Sequence, residues 1–222
     1  MTRLEQELAA LKERVLEMGA LAESMVADSW QGVIGADADR LAQVLASEPR
    51  LDRFQVDNDQ EAVRLIAKYS PVARDLRFLL MIARITSELE RVGDQAVDNC
   101  EYASLLRDTP PAARDLSTLA HAVAGMLHEA LQALKDEDPR KAASVMRLDD
   151  GVDALYSDIF RYLLEHGPSD PQGRARSTGE ILLARSLERI ADHATNMCEE
   201  VFYLVEGADI RHQAIGSGPA ED

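Results

Sequence analysis

Glu90, Asp94 and Asp98 stand at i, i+4 and i+8, and Glu188, Asp192 and Asn196 repeat the spacing 98 positions later (188 − 90). On a helix each step of four advances about 6 Å and turns about 40°, so each trio lies on one stripe. Like charges four apart destabilise an isolated helix by about 0.2–0.5 kcal/mol per pair. Two such stripes therefore point to a compensating cation or basic group. Asp149 and Asp153 share the i, i+4 spacing, as do Asp57 and Glu61. Two facing helices with paired carboxylates would surround a cation with oxygen ligands. The competing reading is a solvated acidic face neutralised by Arg91, Arg189 or more distant lysines.

An all-oxygen ligand set suits Mg²⁺, Mn²⁺ or iron better than a structural zinc, which prefers Cys and His. The spacing does not choose among Fe, Mg, Mn or Zn, or between one divalent ion and a multinuclear cluster. Ferritin-type iron chemistry needs Glu-x-x-His pairs, and none of the five histidines has a Glu three residues before it. His193 follows Asp192 directly and projects about 100° away from it, which suits a surface or interface residue better than a ligand. A Walker loop, a GxSxG elbow, an HExxH helix and paired cysteines are all missing, so no residue set carries an enzymatic activity.

Forty acidic against 24 basic residues give a formal net charge of −16, a field that repels nucleic acid and anionic lipid headgroups. Charged residues reach 29% and aromatic ones only 5%, with Leu, Ala, Glu, Arg and Asp prominent, a mixture that favours helices. Cys100 and Cys198 lie in helix-like runs and read as reduced thiols of a cytoplasmic protein. The first residues intersperse Glu5, Glu7, Lys12 and Glu13 among leucines, unlike a signal peptide. No uncharged run approaches the roughly 18 residues of a membrane span, so direct membrane insertion is not expected.

The elements that must hold the carboxylates follow from apolar spacing. Leu4, Leu8, Leu11, Val15, Met18, Ala22, Met25 and Ser29 alternate three and four apart, predicting a long first helix between Thr2 and Gly35. A second helix starts after Asp37, breaks or restarts at Pro49, and resumes through Leu65, Ile66 and Lys68. Ser70 and Pro71 read as the cap and first turn of a third, carrying Leu76, Leu79, Ala83, Thr86, Leu89, Ala96 and Cys100 to Leu106. Asp108-Thr109-Pro110-Pro111 reads as a linker. Helices from about Ala112 to Asp136, Pro139 to His166 and Pro171 to Val205 follow. Asp138 and Asp170 cap them at their starts, and Gly167 and Gly207 close the last two. Methionines on these stripes read as core, and Trp30 as an aromatic at the rim.

The halves are duplicates. Leu-Glu-Arg-Val-Gly-Asp-Gln-Ala at 89–96 answers Leu-Glu-Arg-Ile-Ala-Asp-His-Ala at 187–194, and Val56-Asp57 answers Val152-Asp153 at an offset of 96 (153 − 57). Two motifs in the same order at nearly one spacing indicate duplication. The expected fold is all-α: two tandem three-helix bundles over 1–108 and 112–211, arranged as a rod, with a polar disordered tail over 212–222.

These paired motifs, with Ser-Pro-Val-Ala-Arg-Asp-Leu-Arg at 70–77, resemble the signatures of the PhoU family across nearly the whole chain. The resemblance implies two three-helix bundles and a cytoplasmic regulator that represses phosphate-starvation genes when phosphate is plentiful. Its implied partners are the ATPase subunit of a phosphate ABC transporter, the cytoplasmic region of a sensor histidine kinase, and a second copy in a homodimer. It also implies metal sites at paired Glu/Asp-x-x-x-Asp motifs. Asp149, Asp153, Glu188 and Asp192 match in the second half, with Asn196 one turn further on. In the first half Glu90 and Asp94 match, with Asp98 one turn further on. There Asp57 is preceded four residues earlier by Arg53, a positive charge for which Asp52 or Glu61 would compensate or which would itself replace the metal, so the second site is expected to bind metal more tightly. The alternatives are a carboxylate-rich metal-binding or storage protein and, third, a helical metalloenzyme.

Overall fold

The computed structural model describes residues 2–106 and 115–207. The described residues form seven helices and no strand: α1 (Arg3–Gly35), α2 (Ala38–Tyr69), α3 (Ala73–Leu106), α4 (Leu116–Asp136), α5 (Pro139–Met146), α6 (Asp149–His166) and α7 (Pro171–Glu206). The expected linker at 108–111, the residues near Ala112 and the tail over 212–222 lie outside the described residues.

The first helix begins with a capping box, in which the Thr2 hydroxyl accepts from the Glu5 amide and the Glu5 carboxylate accepts from the Thr2 amide. Its stripe from Leu8 to Ser29 is buried. Asp37, Asp138 and Asp170 accept backbone N–H groups at the starts of α2, α5 and α7. Trp30, expected at the rim, is buried.

Three boundaries differ from those expected. The second helix runs through Pro49 unbroken, because Pro49 and Arg50 are exposed while Val44 and Leu51 stay anchored in the core on either side. The lost hydrogen bond is thus confined to the solvent side. Ser70 does not start α3; it closes α2 in a left-handed conformation (φ 46°), and α3 begins at Ala73. The expected helix from Pro139 to His166 is two helices, because the chain tightens at Arg147 and Leu148, where the Leu148 amide bonds the Val145 carbonyl at 2.9 Å. Asp149 and Asp150 then occupy the first turn of α6, where the helix dipole favours carboxylates.

The first three helices pack on one another, α4 to α7 form the second bundle, and the halves join chiefly through α3 and α7. These two helices run antiparallel side by side. Arg77 lies near Gly207, Arg84 holds Glu200 with two 3.0 Å bonds, and the Ser186 hydroxyl donates to the Gln95 carbonyl at 3.0 Å. Gly179 admits Leu105 so closely that a Cβ there would lie 2.9 Å from the leucine Cβ. Lys12 and Arg74 both reach Glu137 at the end of α4, tying the halves a second time. The bundles therefore lie flank to flank rather than forming an end-to-end rod, and the two Leu-Glu-Arg motifs meet at the middle of the α3–α7 seam.

Candidate metal centre

On α7, Leu187, Ile190, Ala191 and Ala194 are buried while Glu188 and Asp192 look out toward α6. Val152 anchors the opposing stretch of α6 in the core, which leaves Asp149 and Asp153 on the flank facing α7. Carboxylate oxygens of Asp153, Glu188 and Asp192 all lie within 4.8 Å of one another. Asp149 joins this group from the next turn. Its carboxylate accepts from the Thr195 hydroxyl at 3.3 Å.

The electrostatics are those of anions held together without a hydrogen-bonded counter-charge. Burial raises the Glu188 carboxyl above its ordinary range, and the charges of Asp192 and Asp153 raise it further. Asp192 is raised by burial and then by Asp149 and Asp153. Asp149 is raised by burial and by Asp153 against the lowering effect of Thr195. Arg185 and Arg189 act on Glu188 only through space; neither donates a hydrogen bond to the group.

The donor set fits a hard cation. Mg²⁺ holds oxygens at about 2.0–2.1 Å, so opposite ligands lie roughly 4 Å apart across the ion, a spacing these side chains reach by a small rotation. Asp149, Asp153, Glu188 and Asp192 would hold it, and the ion would supply the positive charge the corner lacks.

Asn196 does not join them. It crosses the seam and donates to Glu88 on α3 at 3.1 Å. His193 Nδ1 lies 2.7 Å from the same Glu88 carboxylate, and Arg91 holds its other oxygen at 2.9 Å. Burial alone would raise Glu88, but the hydrogen bonds from His193 and Asn196 outweigh it and hold the carboxyl below its ordinary range. His193 is thus an interface residue at the seam.

Sequence comparison reaches the same duplication independently. The PhoU domain matches twice, at residues 15–103 and 116–201. A phosphate-specific transport system accessory protein PhoU homolog of Rhizobium meliloti is 34% identical over 100% of this chain and 93% of its own length. The corresponding protein of Escherichia coli K12 is 33% identical over 93% of this chain and 86% of its own length. The chain belongs to the PhoU family. The crystal structure of PhoU from Pseudomonas aeruginosa superposes with a TM-score of 0.85 at 33% identity, covering 93% of this chain and 100% of the other. The regulatory PhoU protein of Streptococcus pneumoniae, at 24% identity, shares the fold with a TM-score of 0.87 over 93% of this chain and 99% of its own.

The two PhoU repeats are not equivalent at this corner. In the first, Glu90 and Asp94 face Asp52 of α2, not Asp57. Burial raises both, and the charge of Asp52 raises both further, with Asp94 also acting on Glu90. Asp57 lies on the flank toward α1, lining a polar pocket with Arg14, Gln60, Glu61 and Arg64. Glu61 is there bound by Arg64 at 2.6 Å. The Val-Asp pairing at offset 96 is therefore five residues out of register. The capping residue Asp37 answers the capping residue Asp138, and buried Val44, Leu51, Asn58 and Ala62 answer buried Val145, Val152, Ile159 and Leu163, an offset of 101 (138 − 37). Asp52 then stands for Asp153 and Glu48 for Asp149, and the shared acidic-x-x-x-Asp spacing was the signal available in the sequence. Arg53 is not at the site and bonds the Pro49 carbonyl on its own helix. Asp98 is a turn beyond, raised by burial and by Glu101. The register also explains Gly93: a Cβ there would lie 2.0 Å from a methyl of Leu51, the residue that seats Asp52.

Proposed function

We propose that this chain regulates phosphate uptake and phosphate-starvation signalling, acting as an adaptor between the ATPase subunit of a phosphate ABC transporter and a sensor histidine kinase. The observation that supports this most directly is the near full-length kinship with phosphate-specific transport system accessory proteins, including both repeats and their order. In this reading the chain works in the cytoplasm, as a homodimer, and holds the response down when phosphate is plentiful. Among the described residues no helix is long and apolar enough to cross a membrane, so the adaptor would meet membrane partners through their exposed domains. Its long helical faces suit control of a partner's conformational equilibrium, which needs differential affinity for two partner states, commonly about 1–3 kcal/mol.

The carboxylate corner of the second half fits a cation, with Fe, Mg, Mn and Zn all open as identities. By neutralising Asp149, Asp153, Glu188 and Asp192 it would fix the charge of the α6–α7 face presented to a partner. The test is alkaline phosphatase output at high phosphate in the source organism. Output should rise on deletion, and a folded Glu188→Ala/Asp192→Ala variant should fail to restore repression. Unchanged output on deletion would remove the regulatory reading. Full repression by the folded double variant would separate regulation from the metal and favour metal binding or storage as an independent property.

A further inference from the structure

The groove between α6 and α7 does not end at the carboxylates. Asp149, Asp153, Tyr156, Phe160 and Leu164 follow one another by four, three, four and four residues, so they lie on one stripe of α6. Tyr156 and Phe160 touch, with ring centroids 6.1 Å apart. Phe160 is 38% exposed and Leu164 64% exposed. Leu164 continues into an open pocket of about 360 Å³ lined also by Leu163, Pro168, Ser177, Thr178 and Ile181, with Arg174 at its edge. From Asp153 to Leu164 the stripe spans about 16 Å, three turns of a docked helix. One end is acidic and the other is apolar.

The same stripe in the first half is built differently. At the offset of 101, Tyr156, Phe160 and Leu164 correspond to Gln55, Asp59 and Val63. The aromatic anchor is thus peculiar to the second half, and the duplicated fold does not require it. Exposed aromatic and leucine side chains in a groove are the usual anchors of a helix-in-groove interface.

We propose that the α6–α7 groove of the second half docks an amphipathic helical segment of another protein, basic at one end and apolar at the other. Lys or Arg side chains of that segment face Asp153, Glu188 and Asp192, and its apolar side chains cover Phe160 and Leu164. Charge decides the occupant. The four carboxylates have no hydrogen-bonded base, and the net charge of −16 disfavours an anionic membrane. A second copy is disfavoured as well. Pairing the stripes antiparallel would lay each acidic end over an apolar one, burying charges without counter-charge, and pairing them parallel would oppose the acidic ends. The inference concerns the metal-free corner, because a bound cation would neutralise the carboxylates that the segment's basic side chains face.

The test uses the full chain and fluorescein-labelled 18-residue Leu/Lys amphipathic peptide, with a Leu/Glu peptide of the same pattern as control, read by anisotropy. The Leu/Lys peptide should bind and the Leu/Glu peptide should not. Phe160→Ser/Leu164→Ser should weaken binding about tenfold or more, while Val63→Ser in the first half should leave it unchanged. Circular dichroism and sedimentation of each variant establish that it is folded and monitor self-association. Equal affinity of the wild type and the Phe160→Ser/Leu164→Ser variant would overturn the proposal. So would loss of a dimer in that variant without loss of peptide binding, or co-sedimentation of wild type with phosphatidylglycerol vesicles that depends on Phe160.

Discussion

Two halves of one duplicated fold arrange the same signature differently. Both bring a Glu-x-x-x-Asp pair on the last helix of the repeat against an acidic-x-x-x-Asp pair on an earlier one, and the first half supplies Glu48, Asp52, Glu90 and Asp94. The second supplies Asp149, Asp153, Glu188 and Asp192. Their cores differ too. Among the described residues, the buried side-chain atoms without hydrogen-bond partners, Trp30 Nε1, Asn58 Oδ1, Arg77 Nε, Thr86 Oγ1 and Asn99 Oδ1, all belong to the first half. Among the described residues, the second half has the more closely gathered carboxylates and the better satisfied core. Duplication thus preserved the scaffold and the four acidic positions while their spacing across the helices diverged.

The largest expected effect is on cation binding. In metal-stripped protein, Glu188→Ala/Asp192→Ala should abolish the tighter of two Mn²⁺ binding events in calorimetry, whereas Glu90→Ala/Asp94→Ala should remove only the weaker one. The comparison can then be sharpened within the first half. Glu48→Ala removes the counterpart of Asp149 and should weaken the weaker event about tenfold while leaving the tighter one unchanged, as measured by the same titration; no change would mean that Glu48 does not stand at the ligand position.

A smaller effect concerns the cores. Asn58 is fully buried, and its one partner is the Met18 sulfur at 4.0 Å. Its counterpart in the second half is the buried Ile159. Asn58→Leu should therefore stabilise the chain by about 1 kcal/mol in urea denaturation, since an unsatisfied buried amide costs about that much. Destabilisation by the leucine would indicate that the amide has a partner there, such as buried water.

The smallest effect is the linkage of the carboxylate corner to pH. Glu188, Asp149 and Asp192 have folded-state pKa values above their ordinary 4.5 and 3.8. Such groups bind protons more readily in the folded than in the unfolded chain, so they favour folding as pH falls through the raised values toward the ordinary ones. In the absence of metal, Asp192→Asn should raise Tm at neutral pH by about 2 °C, and the gap to wild type should close as the pH is lowered through that window. Added Mn²⁺ should raise Tm of the wild type but not of this variant. A gap that widens on acidification would reverse the sign of the argument.

Most of the scaffold was legible in the sequence because it rests on long apolar stripes and capping residues. The Leu8-to-Ser29 stripe and the caps at Thr2, Asp37, Asp138 and Asp170 are local signals that tertiary packing did not override. Pro49 and Ser70-Pro71 misled because packing of Val44 and Leu51 carries a helix through a proline, and because a serine that can cap the next helix can also close the previous one. The second-half site was legible because its four carboxylates are close in sequence on two helices. The first-half site was misread by five residues, which on a helix turns a side chain by about 140°. The pairing of Val-Asp was chosen over that of Glu48-x-x-x-Asp52 with Asp149-x-x-x-Asp153, and the caps Asp37 and Asp138 with the burial of Leu51 and Val152 decide between them. The roles of Thr195 and Glu88 depend on side chains meeting across helices, a relation that spacing along the chain does not contain.

The most direct test of the central claim, that the second-half carboxylates form the principal cation site, is Mn²⁺ titration of the metal-stripped full chain beside its Glu188→Ala/Asp192→Ala and Glu90→Ala/Asp94→Ala variants. The account predicts that the first variant loses the tight event while the second retains it. Tight binding that survives in the Glu188→Ala/Asp192→Ala protein, or that is lost equally in both, would contradict it.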